Sequence, residues 1–339
     1  MISVHICARF KNVSLQLLIM AESEKNRHNG TVIRSTGSWY TVRMDDGSIM
    51  ECRLRGKIRT RGLKATNPVT VGDRVTVLDG HDRDAAVITA IGERKNYIIR
   101  RSVNLSKVSH IIAANMDYAF VAASLTSPRT STGFIDRFLV TAQMYEIPAV
   151  VIFNKADLYQ KEHFDFLGYL TDHYQRIGYP CLITSAVTGR GIEDLKGMVY
   201  GNTSLFMGHS GVGKSALINC IEPGLQLKTG DISEVHYKGK HTTTFAQMHP
   251  LTAGGYIIDT PGIKEFGLID LEKSELAMYF PEMLKLLGQC QFYNCTHDHE
   301  PGCAVKGAVE KGDISMERYR NYLNMLSGRD IQTNAWELE

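Results

Sequence analysis

Apolar and polar residues alternate in short runs over the first structured part of this chain. Residues 30–34, 38–43, 48–54, 74–78 and 86–94 read as short strands. Asp46-Gly47 and Asp79-Gly80 fall between such runs, where hairpin turns favour them. Five short strands in about 70 residues predict a small closed barrel, with the OB type as the leading choice.

From residue 117 the pattern changes. Continuous apolar runs at 117–125, 148–153, 181–184, 204–207 and 256–258 read as buried strands. Helical periodicity at 132–146, 164–177, 192–200 and 214–221 separates several of them, and the last of these helices stops before Pro223. Alternating strand and helix predicts a mostly parallel sheet covered on both faces. Beyond about residue 268 the chain reads as helical again around a cysteine-rich stretch, with 316–326 amphipathic. The expected organisation is an extension over 1–29, a barrel over 30–98, a linker over 99–116, an α/β domain over 117–268 and a helical metal-binding domain over 269–339. In the extension, residues 13–20 are mildly apolar after Arg9 and Lys11, but Ser14 and Gln16 interrupt them and no small-residue cleavage pattern follows. A disordered extension, or a true start at Met20, is expected rather than a signal peptide.

Four of the apolar runs end directly in motifs of nucleotide chemistry. Asn154-Lys155-Ala156-Asp157 fits N-K-x-D, and Ser185-Ala186 fits the S-A loop that accompanies it. Gly208-His209-Ser210-Gly211-Val212-Gly213-Lys214-Ser215 fits G-x-x-x-x-G-K-[ST], and Asp259-Thr260-Pro261-Gly262 fits D-x-x-G. Ligands of open parallel sheets sit at the carboxyl ends of strands, so these loops can converge there. The glycines let backbone N–H groups wrap phosphates, and the helix carrying Ser215 and Ala216 adds its positive end. Lys214 would contact the β- and γ-phosphates. Magnesium would be held by Ser215, by Asp259 and by Thr243 or Thr244, and the Gly262 N–H would sense the γ-phosphate. Asp157 can accept two hydrogen bonds from guanine N1–H and its exocyclic amine, a pair that adenine does not offer. Lys155 would lie over the base, Asn154 would tie loops together, and the S-A backbone would meet guanine O6. The guanine motif precedes the phosphate motif, the reverse of the usual order, so the domain reads as a circularly permuted GTPase.

Catalysis is less legible. Ile263 follows D-x-x-G where many GTPases carry a water-orienting glutamine. Gly239-Lys240-His241-Thr242-Thr243-Thr244 lies where the first switch should be, and His241 is the candidate to orient water, with an exposed loop histidine or an RNA contact as the equal alternative. Slow intrinsic hydrolysis is expected, on the order of 10⁻⁴ to 10⁻² s⁻¹.

Cys290-x₄-Cys295-x-His297-x₅-Cys303 offers three thiolates and an imidazole, with His299 as a competing ligand. Sulfur with one nitrogen suits tetrahedral zinc, and four protein ligands leave no open catalytic position. Arg53, Arg55, Lys57, Arg59, Arg61 and Lys64 form a basic run with no acid among them, and the first five alternate with uncharged residues. In an extended segment they share one face, the footprint of nucleic acid on a small barrel. Arg74, Arg94, Lys95, Arg100 and Arg101 add charge to the same half of the chain. Trp39 and Tyr40 could stack on bases or belong to the core. This asymmetry is hidden in a net charge of +2 over 339 residues. The 43% hydrophobic and 22% charged fractions suit a soluble globular protein of two or three domains. No apolar run is long enough to span a bilayer. Seven cysteines, three of them clustered, point to a reducing cytoplasm and a metal site rather than disulfides.

The order N-K-A-D, S-A, G-H-S-G-V-G-K-S, H-T-T-T, D-T-P-G and C-x₄-C-x-H-x₅-C behind a barrel resembles the ribosome small-subunit-dependent GTPase A (RsgA) family, from about residue 30 to the end. The resemblance implies an OB barrel, a permuted GTPase domain and a zinc domain. It implies late maturation of the small ribosomal subunit, with subunit-stimulated hydrolysis of GTP to GDP. It favours His297 as the fourth zinc ligand beside Cys290, Cys295 and Cys303. The expected partners are GTP or GDP with magnesium, the small subunit and its rRNA, and no membrane; the protein is expected to be a cytoplasmic monomer. A GTP-dependent switch on a non-ribosomal protein or RNA is the alternative, and a protein that only binds GTP is a third reading. The permutation attaches the zinc domain directly after the segment that senses the γ-phosphate, so nucleotide state could reorient both RNA-binding arms.

Overall fold

The computed structural model describes residues 27–55, 68–80, 85–101, 109–227, 246–259 and 272–328. The strand-like runs form β1 (Arg27–Ser35), β2 (Tyr40–Met44), β3 (Ile49–Leu54), β4 (Arg74–Leu78) and β5 (Ala86–Ile91). β1 pairs antiparallel with both β2 and β4, while β3 runs parallel to β5, so the strands close into a barrel. The inward members, among them Val32, Tyr40, Val42, Cys52, Val77 and Ile88, fill it. Gly30 sits where β1 serves both neighbours, and a Cβ there would stand 2.6 Å from the Arg43 carbonyl oxygen.

The stretch expected as a linker carries ordered chain. β6 (Tyr97–Arg101) and β7 (Ser109–Ala114) pair as an antiparallel hairpin. Residues 111–114 are buried or half-buried without alternation, so no period-two signal marks them. The hairpin is fastened at its base, where Asn96 exchanges two 2.8 Å hydrogen bonds with Met116. It is also fastened to the barrel, through the Val71–Ala113 bridge and a 2.9 Å bond from Asn115 Nδ2 to the Gly72 carbonyl. Fully buried Asp73 accepts from Arg94 at 2.6 and 2.7 Å and from the Thr70 N–H at 2.8 Å.

The α/β domain forms around β8 (Tyr118–Ala123), β9 (Ala149–Phe153), β10 (Cys181–Ile183), β11 (Thr203–Gly208), β12 (Gln247–Pro250) and β13 (Tyr256–Asp259). The order is β10-β9-β8-β11-β13-β12, with all neighbours parallel except antiparallel β12. The strands are apolar on both sides because both faces are covered. Val121, Val151 and Leu205 face α1 (Thr132–Met144) and α2 (Lys161–Ile177); Phe120, Val150 and Phe206 face α3 (Ile192–Val199) and α4 (Lys214–Ile221). Strand β12 was not anticipated. It pairs with β1 at Gln247–Arg34, joining barrel and domain in one eleven-stranded sheet.

The last unit holds α5 (Pro281–Leu284), α6 (Ala304–Lys311) and α7 (Met316–Ser327). Leu276, Phe280, Met283, Val305, Tyr322 and Met325 form its core, and Val140 of α1 joins them. Polar residues complete the contact. Arg318, 1% exposed, donates to Asp136 Oδ1 of α1 at 2.6 Å and to Glu282 Oε1 of α5 at 2.7 Å. Asn321 Nδ2 reaches Asp136 Oδ2 at 2.6 Å, Tyr174 OH of α2 reaches Asp136 Oδ1 at 2.9 Å, and Thr132 donates to Glu317 at 2.6 Å.

Removing one partner of a buried ion pair leaves the other charge uncompensated and costs about 3–5 kcal/mol. Asp73→Ala is therefore expected to lower the unfolding free energy of the barrel by that amount, read as a lower denaturant midpoint at unchanged slope, because Arg94 stays buried; a wild-type midpoint would contradict the role given to this pair.

Candidate functional site

The carboxyl ends of β8, β9, β10 and β11 bring their loops together. Asn154, at the end of β9, is buried, and its side chain works in two directions. Its Nδ2 donates to the Val212 carbonyl of the P-loop at 2.9 Å, and its Oδ1 accepts from Thr184 Oγ1, beyond β10, at 3.0 Å. Lys155 takes a left-handed backbone with φ of 63°, and its Nζ reaches the Ser127 carbonyl after β8 at 2.5 Å. Buried Ala156 donates its N–H to the Thr184 carbonyl at 3.1 Å. Asp157 Oδ1 accepts from Ser185 Oγ at 2.5 Å, and the same hydroxyl receives the N–H groups of Val187 and Thr188 at 3.2 and 3.1 Å. The two guanine-type loops are thus clipped together, with Ala186 between them.

The phosphate-type loop runs from Gly208 at the end of β11 to Ser215 and Ala216 in the first turn of α4. Gly208, Gly211 and Gly213 all have positive φ. Two of them are also crowded: a Cβ on Gly208 would lie 2.4 Å from the Ala122 carbonyl, and one on Gly213 2.4 Å from Asn154 Nδ2. Lys214 Nζ donates to the carbonyls of Gly208 and His209, both at 2.8 Å, which holds its ammonium inside the curve of the loop. The His209 ring lies on Phe134 of α1 with centroids 4.0 Å apart. Burial, and then the Lys214 charge, lower the His209 pKa below the usual histidine range. Val212 is buried, while Ser210 is exposed.

Asp259 ends β13, opposite Phe206 of β11 and Gln247 of β12. Gly262, His241, Thr243 and Thr244 lie outside the described residues. Thr184, Tyr159 and Phe134 were missed as site residues. Tyr159 OH donates to the Asn154 carbonyl at 2.6 Å and accepts from the Leu125 N–H at 3.2 Å. Adjacency to N-K-A-D and S-A was the available signal for Tyr159 and Thr184; nothing in the sequence marked Phe134.

The second cluster is compact. Ligand atoms of Cys290, Cys295, His297 and Cys303 lie within 4.8 Å of one another. A tetrahedral ion with bonds of about 2.3 Å to sulfur and 2.0 Å to nitrogen needs S···S near 3.8 Å and S···N near 3.5 Å. The pairs Cys290–Cys303, Cys290–His297 and Cys303–His297 stand at 3.9, 3.5 and 3.4 Å, so these residues could hold a metal ion. Burial lowers the His297 pKa, favouring the neutral imidazole that ligates metals. His299 is exposed beside Asp298 and does not join the cluster. The loop is braced from α7, where Tyr319 OH donates to the His297 carbonyl and Tyr322 OH to the Thr296 carbonyl, both at 2.6 Å.

Of the basic run, Arg53 and Arg55 are described and exposed on the outward side of β3 and just beyond it; Lys57, Arg59, Arg61 and Lys64 lie outside the described residues. The Arg53 guanidinium stacks 4.2 Å from the centroid of exposed Trp39, whereas Tyr40 is core. Arg74 pairs with Asp45 through two 2.8 Å bonds and Lys95 with Asp117, so with Arg94 these charges already have carboxylate partners. Among the described residues no helix is long and apolar enough to cross a membrane.

A family model described as RsgA GTPase matches residues 91–269, and one described as RsgA N-terminal domain matches residues 29–88. The chain belongs to the RsgA GTPase family. It is 51% identical over 301 residues to the small ribosomal subunit biogenesis GTPase RsgA of Bacteroides fragilis, covering 89% of this chain and 97% of that one. With the protein of that name from Flavobacterium psychrophilum it shares 52% identity over 303 residues, 89% of this chain and 93% of the other. Among solved structures it is similar to YjeQ from Thermotoga maritima, with a TM-score of 0.72, 38% identity and coverage of 89% and 98%. It is also similar to YloQ, described as a circularly permuted GTPase, with a TM-score of 0.68, 28% identity and coverage of 89% and 94%. The RsgA fold places the barrel first and the permuted GTPase domain at the centre, and the cysteine–histidine cluster follows.

Left-handed backbone costs a residue with a Cβ about 1–2 kcal/mol, before any clash. Gly213→Ala, with φ of 99° and Asn154 in its path, is expected to weaken GDP binding by about ten-fold or more in a fluorescent-nucleotide titration. Unchanged affinity would place the nucleotide elsewhere.

Proposed function

We propose that this chain is a GTPase of small ribosomal subunit maturation, which binds the subunit, hydrolyses GTP to GDP and phosphate when the subunit stimulates it, and acts in the cytoplasm as a monomer. The observation that carries this is the closure of three motif loops at one sheet edge by Asn154, in a chain whose relatives are named as small-subunit biogenesis GTPases. Those names favour the ribosome over a non-ribosomal partner.

In this reading Asp157 receives guanine N1–H and its exocyclic amine, Ser185 holds the carboxylate in place, and the Lys155 stem covers the base. The N–H groups from His209 to Ala216 receive the phosphates, and Lys214 turns from its own loop to the β- and γ-oxygens. Magnesium, held by Ser215, Asp259 and Thr243 or Thr244, would neutralise charge between those phosphates. The Gly262 N–H senses the γ-phosphate and His241 orients the attacking water. Cys290, Cys295, His297 and Cys303 hold one structural zinc, for which the soft donor set is suited. Arg53, Arg55, Lys57, Arg59, Arg61 and Lys64 meet rRNA phosphates, and the Arg53–Trp39 stack gives that face a platform for a base. The units run over 30–98, 117–268 and 269–339; the hairpin of β6 and β7 goes with the GTPase domain, within the span that its family model matches.

Hydrolysis by the purified protein is expected to be slow, on the order of 10⁻⁴ to 10⁻² s⁻¹, and to rise by at least about ten-fold with small but not large ribosomal subunits. His241→Ala should abolish the stimulated rate and spare GDP affinity. Equal rates with both subunits would refute the assignment. Metal analysis is expected to give one zinc per chain, lost in Cys295→Ser; a wild type that is purified folded and carries no zinc would rule the zinc site out.

A further inference from the structure

One helix touches both centres. The first turn of α1 carries Phe134, on which the His209 ring of the P-loop rests at 4.0 Å. The loop entering that helix carries Ser127, which accepts from Lys155, and Pro128, which would lie 3.5 Å from a Cβ on Gly211. Thr132 and Asp136, in the same two turns, face α7 instead. Both Asp136 oxygens are occupied, Oδ1 by Arg318 and Tyr174, Oδ2 by Asn321. α7 in turn braces the cluster loop through Tyr319 and Tyr322. The connection therefore runs from the carbonyls of Thr296 and His297 through α7 to Asp136, two residues along the helix to Phe134, and on to His209. Each link is a hydrogen bond, a ring contact or a step along a helix.

We propose that α1 couples the metal cluster to the nucleotide site, with Asp136 and Phe134 as positioning residues that touch neither ligand. This rests on the nucleotide and zinc reading above. Its physical basis is the cost of ordering the P-loop, whose N–H groups must be aligned to receive phosphate. A platform that already holds His209 reduces that cost, and the platform is only as firm as the donors that hold Asp136. With the cluster empty, the loop from Cys290 to Cys303 loses its staple, Tyr319 and Tyr322 lose fixed acceptors, and α7 presents Arg318 and Asn321 less firmly. Linkage between two equilibrium affinities is reciprocal, so the nucleotide must then tighten zinc binding by the factor by which zinc tightens nucleotide binding.

The experiment uses the full chain. Apparent zinc affinity is measured by competition with a chromogenic chelator, with and without saturating GDP, and GDP affinity is measured by fluorescence with and without zinc. In the wild type both ratios are expected to agree at about five-fold or more. In Phe134→Leu and Asp136→Asn both ratios are expected to fall towards one, while each variant still binds one zinc and still binds GDP. Arg318→Lys should keep part of the ratio that Arg318→Met loses. If Asp136→Asn fails to fold, Phe134→Leu, a milder change at a half-buried ring, carries the test alone. Two ligands that bind the wild type independently overturn the coupling, and a full ratio in Phe134→Leu overturns the route through α1. A wild type that binds no zinc or no GDP fails one step earlier and overturns the reading of the sites themselves.

Discussion

The Asn154 carboxamide is the constraint on which the nucleotide site depends. It is buried, so both its ends must be paired, and they pair with loops that follow different strands: Nδ2 with the Val212 carbonyl after β11 and Oδ1 with the Thr184 hydroxyl after β10. An amide left half-paired in that position would cost about 1–3 kcal/mol, which drives the P-loop and the loop after β10 to the same point in space. Gly213 completes the arrangement from the other side, because only a residue without a Cβ leaves room for Nδ2. The bond is indifferent to chain order. Residue 154 comes before residue 208 here, and the parallel sheet still sets β9 one strand away from β8 and β8 beside β11. A circularly permuted chain keeps its site for this reason, since the loops are registered through space by strand pairing and by one buried side chain.

The sequence made the motif-bearing strands legible because their chemistry and their periodicity agree. A buried apolar run followed by N-K-A-D has few other readings, and five short strands with turn signals between them suggested the barrel that forms. What escaped was held together by features without a period. β7 is buried at Ile111, Ala113 and Ala114 and half-buried at Ile112, so it shows no alternation. β12, four residues ending in proline, is defined by its neighbours β1 and β13 rather than by composition. The C-terminal interface was invisible for a sharper reason. Arg318 and Asn321 are polar, so a binary pattern assigns them to the surface, yet both are buried. Their partners lie about 180 residues away, and only tertiary structure brings them together. The choice between His297 and His299 was likewise open on spacing alone and is decided by direction, since only His297 turns its Nδ1 to the sulfurs.

The permutation gives the C-terminal unit two attachments of different kind. Covalently it follows β13, whose end carries Asp259. Non-covalently it packs on α1, which covers the other side of the sheet near β8 and β9. A unit held only by its tether would sample many orientations, and one held only by packing would not feel the end of β13. With both, the unit that follows β13 in the chain is oriented by α1. The barrel has a comparable pair of contacts at the opposite edge: β1 pairs with β12 next to β13, and residues 70–72 pack on the hairpin of β6 and β7.

The Arg318 network is a costly way to hold an interface, and that bears on its purpose. Arg318 meets two carboxylates, Asp136 and Glu282, and the Arg318 Nη2, Glu282 Oε2 and Tyr179 OH atoms find no hydrogen-bond partner among the described residues. A well-packed apolar contact of the same volume is often as stable as a buried ion pair, or more so. Apolar surfaces, however, tolerate sliding and rotation, whereas Asp136, with two donors from α7 at 2.6 Å each, accepts one placement of that helix. The network fixes the orientation of α7 through directional bonds. A hydrophobic side chain in place of Arg318 could hold the contact as firmly but would not fix that placement.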